Sequence, residues 1–150
     1  MKKLLAAAAA LACVIPASAA EGVVVVRNPA TIYDAPAANG RPLYVLSLDY
    51  PLIVLSRTST WLTVCMHDRS VGYISTRDVK AGNAAMVLRR TQVRTSASAG
   101  AAVAFTADAG LLLSVDGPAA GDWLPVRHGS GRKGYINRGD LFSAAAGSSC

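Results

Sequence analysis

The sequence predicts an all-β protein made of two small β-barrels in tandem, with about five short strands in each. Two observations predict it. Residues 61–79 (WLTVCMHDRSVGYISTRDV) recur as residues 123–141 (WLPVRHGSGRKGYINRGDL) at a gapless offset of 62, with seven of nineteen positions identical and both tryptophans of the chain included. Self-similarity on that scale marks one structural unit used twice. Within the repeat, Leu62, Val64 and Met66 alternate with Trp61, Thr63 and Cys65, the period of a half-buried strand.

The chain of 150 residues begins with a targeting signal. Lys2 and Lys3 give a positive start, and Leu4 to Ile15 is an apolar run too short to span a bilayer as a folded anchor. Pro16 breaks it, and Ala17-Ser18-Ala19-Ala20 supplies the small residues of a cleavage site. The cut is expected after Ala20, with Ala19 the near alternative. A second reading is a lipoprotein signal ending at Cys13. Ala10-Leu11-Ala12-Cys13 resembles a lipobox, although its first position is usually Leu and the signal would be unusually short. No later segment is long and apolar enough to cross a membrane, so a mature chain that is periplasmic or secreted is expected.

The first unit is expected over residues 21–79. Val23 to Val26 is a β-branched run that favours strand. Leu52 to Ser56 and Trp61 to Met66 read as two further strands. His67-Asp68-Arg69-Ser70 reads as a hairpin turn leading into a strand from Val71 to Ile74. Gly72 lies inside that strand, which marks a bulge or a close backbone approach. Residues 80–85 (KAGNAA) form a short linker of small residues. The second unit is expected over 86–141, with its hairpin at His128-Gly129-Ser130-Gly131 and its strand glycine at Gly134. Upstream, Val24 to Arg27 is matched with Met86 to Arg89, Thr31-Ile32-Tyr33 with Gln92-Val93-Arg94, and Leu52-Ile53-Val54 with Leu111-Leu112-Leu113. Residues 142–150 remain as a C-terminal tail. Sixty residues can close a small barrel but are marginal alone, so docking of the units or a disulfide would help.

Charge and chemistry narrow the function. The chain has 15 basic and 9 acidic residues, a net +6, and loss of Lys2 and Lys3 with the signal leaves +4. The charges are scattered, Arg89-Arg90 being the densest pair, so no nucleic-acid patch is expected. Cys65 and Cys150 survive cleavage. In an oxidising compartment they can pair with each other; two free thiols, or Cys150 pairing with another chain, are the alternatives. Cys65 and His67 are two residues apart on one strand, which does not make a catalytic pocket. Cys65, His67 and His128 are too few and too scattered for a metal. There is no glycine-rich phosphate loop and no paired carboxylates. The expectation is a protein that is not an enzyme and holds neither metal nor cofactor.

Trp61-Leu62-Thr63-Val64 with Gly72-Tyr73-Ile74, and Trp123-Leu124-Pro125-Val126 with Gly134-Tyr135-Ile136, resemble the closing half of the bacterial SH3 (SH3b) family. In the opening half, Val93-Arg94 fits the family's hydrophobic–Arg pair where the first unit has Ile32-Tyr33. Pro36 fits its proline where the second unit has Ala97. Gly110 fits its turn glycine where the first unit has Pro51. The resemblance covers nearly the whole mature chain. It implies two SH3-like barrels that recognise peptidoglycan or an envelope peptide or protein through a groove beside the first long loop and the loop before the Trp strand. In the first unit that neighbourhood offers Tyr33, Tyr44, Tyr50, Trp61 and Tyr73. In the second, Thr95 to Ala102 is nearly all Ser, Ala and Gly, which leaves Trp123 and Tyr135 with Arg94. Aromatic platforms hold peptide or sugar faces at low entropic cost, so the first unit is expected to bind and the second to support. The competing expectation is an inhibitor or immunity-type protein that blocks an envelope-targeting enzyme.

Overall fold

The structure is a computed structural model and describes residues 24–150. The expected signal peptide, the expected cleavage site and Cys13 lie outside the described residues. The all-β expectation holds: the described chain is strand and turn, with two single-turn 3-10 segments.

The first unit runs β1 (Val24–Val26), β2 (Ala30–Tyr33), β3 (Pro42–Leu46), β4 (Pro51–Arg57), β5 (Trp61–Cys65), β6 (Val71–Ser75), a 3-10 turn (Thr76–Asp78) and β7 (Val79–Ala81). The second runs β8 (Ala84–Val87), β9 (Thr91–Arg94), β10 (Val103–Ala107), β11 (Leu112–Val115), β12 (Trp123–Arg127), β13 (Lys133–Asn137), a 3-10 turn (Arg138–Asp140) and β14 (Leu141–Phe142). Each unit is one antiparallel sheet of seven strands. The orders are β3-β2-β6-β5-β4-β1-β7 and β10-β9-β13-β12-β11-β8-β14, the same topology twice.

Two expectations need correction here. There are seven strands per unit, not about five. Among those the sequence did not show, β7 and β14 are only three and two residues long, too short to show a period. They exist because the 3-10 turn carries the chain back across the sheet, where β7 pairs with β1 and β14 with β8. The sheets also do not close into barrels: β3 and β7 remain opposite edges of one sheet, and β10 and β14 of the other.

The upstream matching of the repeat shifts as well. Val26 N–H donates to Tyr50 O and Val87 N–H to Leu111 O, so Val26 is equivalent to Val87, at an offset of 61. Tyr33 pairs with Tyr73 and Arg94 with Tyr135, which keeps Tyr33 equivalent to Arg94. Val54 pairs with Val64 and Val115 with Val126, so Leu52 corresponds to Leu113 and not to Leu111. The offset becomes 62 by Thr58 and Ala120, which make the same bond to the carbonyl of their tryptophan. The second unit therefore carries one extra residue between β11 and β12. The equivalent of the turn residue Gly110 (φ +84°) is Asp49 (φ +61°), not Pro51.

The strand glycines make the close approach expected of them. A Cβ on Gly72 would lie 2.3 Å from Ile32 Cγ2, and one on Gly134 would lie 2.6 Å from Arg94 O. Only hydrogen fits where β6 crosses β2 and β13 crosses β9.

Each sheet folds over its own core, but the two cores share residues. Ile32, Leu52, Leu62, Val64 and Ile74 centre the first, and Val93, Leu113, Leu124, Ile136 and Leu141 the second. Met86 and Phe142, both from the second sheet, are buried in the first core. Each such side chain contributes about 1.5–3 kcal/mol on burial, and here that holds the units together. The expected linker shrinks accordingly: Lys80 and Ala81 belong to β7 and Ala84 and Ala85 to β8, leaving only Gly82 and Asn83 between. Asn83 Nδ2 donates to Val115 O, which pins the crossing. The tail is also packed. Ser143 is buried, Ala146 joins the second core, and Cys150 is disulfide-bonded to Cys65 across 85 residues.

Candidate binding face

The alternation of β5 and β6 sorts their side chains. Leu62, Val64 and Ile74 point inward and are fully buried, while Trp61, Thr63, Tyr73 and Ser75 lie on the outer face and are half-buried. Register does the rest. Tyr73 lies between Thr63 on β5 and Tyr33 on β2, and Trp61 is opposite Ser75. The Trp61 and Tyr33 rings meet edge to face, with centroids 5.8 Å apart at 89°. Such pairs contribute about 0.5–1.5 kcal/mol beyond area burial, so the rings brace one another. Ser56 Oγ donates to Thr63 Oγ1 at 2.8 Å, placing hydroxyls beside the rings. The result is one outer strip of Tyr33, Trp61 and Tyr73.

The second unit carries the same strip with different chemistry. Tyr135 lies between Pro125 and Arg94, and Trp123 is opposite Asn137. Arg94 Nη1 donates to Ala101 O, so the loop of small residues is held by the cation in place of a second tyrosine. A cavity of about 230 Å³ opens here, lined by Thr95, Asp116, Pro125, Lys133 and Tyr135. Asp116 takes a two-point contact from Arg127, which lowers its carboxyl pKa.

Two of the expected residues are elsewhere. Tyr50 is only 7% exposed and belongs to the first core. Its hydroxyl bonds His67 Nδ1, and burial raises its phenol pKa. Tyr44 is 46% exposed but pairs with inward-facing Ile32, so it lies off the strip. Its counterpart Phe105 is covered instead, with the His128 ring 6.0 Å away and the Arg132 guanidinium 4.8 Å above it. Sequence reasoning missed that stack: His128 and Arg132 flank one hairpin, but only the pairing of β9 with β10 brings Phe105 to them.

Cys65 is in the disulfide, and among the described residues no three His, Cys, Asp or Glu side chains converge as metal ligands. A cleft of about 400 Å³ lies at the junction of the units, lined by Asp49, Lys80, Asn83, Leu112 and Arg127 among others. Both of its cations are neutralised, Lys80 by Asp49 at 3.0 Å and Arg127 by Asp116 at 3.0 Å. No helix among the described residues is long and apolar enough to cross a membrane.

No family model matches this chain, and no curated protein does. Among solved structures it is similar to NlpC2 from Trichomonas vaginalis, at 13% identity and a TM-score of 0.38, covering 81% of this chain and 47% of that one. It is also similar to NlpC1 from the same organism, at 15% identity and a TM-score of 0.38, covering 88% of this chain and 50% of that one. The chain thus spans about half the length of each. At those scores the likeness carries no argument about activity.

Proposed function

We propose that this is an exported, non-enzymatic protein of the bacterial envelope whose two SH3b-type units recognise peptidoglycan or an envelope peptide. The outer strip of Tyr33, Trp61 and Tyr73 carries the reading. These rings face away from the core that folding needs and stay half exposed, and those of Tyr33 and Trp61 brace one another edge to face. The first unit binds, and the second, with Arg94 in place of the tyrosine, supports it. The disulfide suits an oxidising compartment.

The test is a pull-down of the mature protein on purified sacculi. Tyr33→Ala with Tyr73→Ala should abolish retention while the melting transition survives, and Tyr44→Ala should leave retention intact. Full retention by the double variant would sink the assignment. One observation favours the second reading, an inhibitor or immunity-type protein: the edge strand β3 and the turn after it expose Tyr44, Val45 and Leu48, apolar surface suited to a protein partner. That reading predicts a stoichiometric complex with an envelope-targeting enzyme, lost in Val45→Lys, and no affinity for bare wall.

A further inference from the structure

A cavity of about 280 Å³ lies on the disulfide side of the junction, away from the aromatic strip. Its walls come from both units: His67 and Arg69 from the hairpin after β5, and Leu88, Arg138, Gly147 and Ser148 from the second unit and its tail. Its cations differ in kind from those of the larger cleft. Among the described residues neither Arg69 nor Arg138 has a carboxylate within ion-pair distance, whereas Lys80 and Arg127 are each paired to an aspartate.

Arg138 and His67 are held in place, while Arg69 is exposed at the rim. Arg138 Nε donates to Ala146 O at 3.2 Å, which leaves its terminal nitrogens free of protein acceptors. Its Nη2 rests against Gly147, where a Cβ would come within 2.6 Å and the backbone is left-handed (φ +75°). The tail is thus shaped to seat a guanidinium. His67 Nδ1 is occupied by the Tyr50 hydroxyl. That bond fixes the imidazole on one side, and the residue lines the cavity. Two guanidiniums without a carboxylate partner and one hydrogen-bonded imidazole line a single concavity. That is donor chemistry for an oxyanion.

We propose that this cavity is a binding site for a small oxyanion, a carboxylate or a phosphate, gripped by Arg69 and Arg138 and by His67 as oriented by Tyr50. Because the two arginines come from different units, the bound anion also bridges them. The site is independent of the aromatic strip.

The experiment is a titration of the full mature protein, isotopically labelled, followed by amide chemical shifts. Inorganic phosphate is one probe and N-acetylalanine, a peptide-end carboxylate, the other. Saturable shifts are expected at residues 67–69, 138–139 and 147–149 with at least one probe. Arg138→Gln and Arg69→Gln should each weaken the dissociation constant about tenfold or more, the scale of one charge-assisted hydrogen bond. The Arg69 side chain makes no contact that folding needs, so its variant keeps the test decisive if Arg138→Gln unfolds. Lys80→Gln should leave the dissociation constants of both probes unchanged, which separates this site from the larger cleft. Tighter binding of N-acetylalanine names a peptide carboxylate as occupant, and tighter binding of phosphate names a phosphate ester. No saturable shift at those residues with either probe, or equal binding by Arg69→Gln, overturns the proposal.

Discussion

Replacing Cys150 by serine should cost this protein about as much stability as one cross-link can supply. The bond joins Cys65, fully buried at the end of β5, to the exposed last residue of the chain, 85 residues away. The closed loop contains β6, β7 and the whole second sheet. Cross-linking removes loop-closure entropy from the unfolded chain, and for a loop of this length the loss is about 4.5 kcal/mol at 25 °C. A serine side chain at so exposed a position opens no cavity; the variant leaves the buried Cys65 thiol unpaired, so wild type in reductant, which shares that thiol, is its matched reference. Guanidinium unfolding followed by the fluorescence of Trp61 and Trp123 reads one ring in each unit. Oxidised wild type should exceed Cys150→Ser by roughly 3–5 kcal/mol. Wild type in reductant should fall to the level of the variant. A difference under about 1 kcal/mol would refute the reasoning, since it would mean that the unfolded chain gains little freedom when the bond is absent.

Close packing and one buried phenol set the remaining expectations. Gly72→Ala and Gly134→Ala should each destabilise by about 1–3 kcal/mol, because the new methyl overlaps buried Ile32 in one case and a backbone oxygen in the other. Gly134→Ala should be the worse of the two, since a backbone yields less than a side chain. Gly129→Ala, with nothing within 4 Å of its Cβ, is the control and should be near neutral in the same denaturant assay. The raised pKa of Tyr50 gives a pH dependence whose sign is definite. The unfolded phenol ionises from about pH 10 while the folded one resists, so its contribution is complete below that pH and is lost as pH rises through the folded value. Melting temperatures from pH 8.5 to 11.5 should therefore fall more steeply for wild type than for Tyr50→Phe; parallel curves would exclude the effect.

Local pattern carried the fold class. The strand from Trp61, the hairpins at His67–Ser70 and His128–Gly131, and the glycines before each Tyr-Ile pair were all legible, because a period of two and a tight turn are encoded within a few residues. The gapless repeat over 61–79 and 123–141 also survived intact in the paired strands β5–β6 and β12–β13. The candidate site was legible only in part. Tyr33, Trp61 and Tyr73 share a face because register puts β2 beside β6 and β6 beside β5. Tyr50, equally aromatic in sequence, is core because it follows the turn at Asp49.

By itself the amino-acid sequence determined that the chain is all-β, that one unit occurs twice, and that Cys65 and Cys150 are free to pair with each other. Only the tertiary structure decided that they do pair, that the sheets stay open with seven strands each, and that Met86 and Phe142 complete the core of the neighbouring unit. The reason is physical. Side-chain alternation and turn chemistry act over a few residues, whereas strand order, cross-unit packing and an 85-residue closure depend on contacts between distant segments that no local pattern specifies.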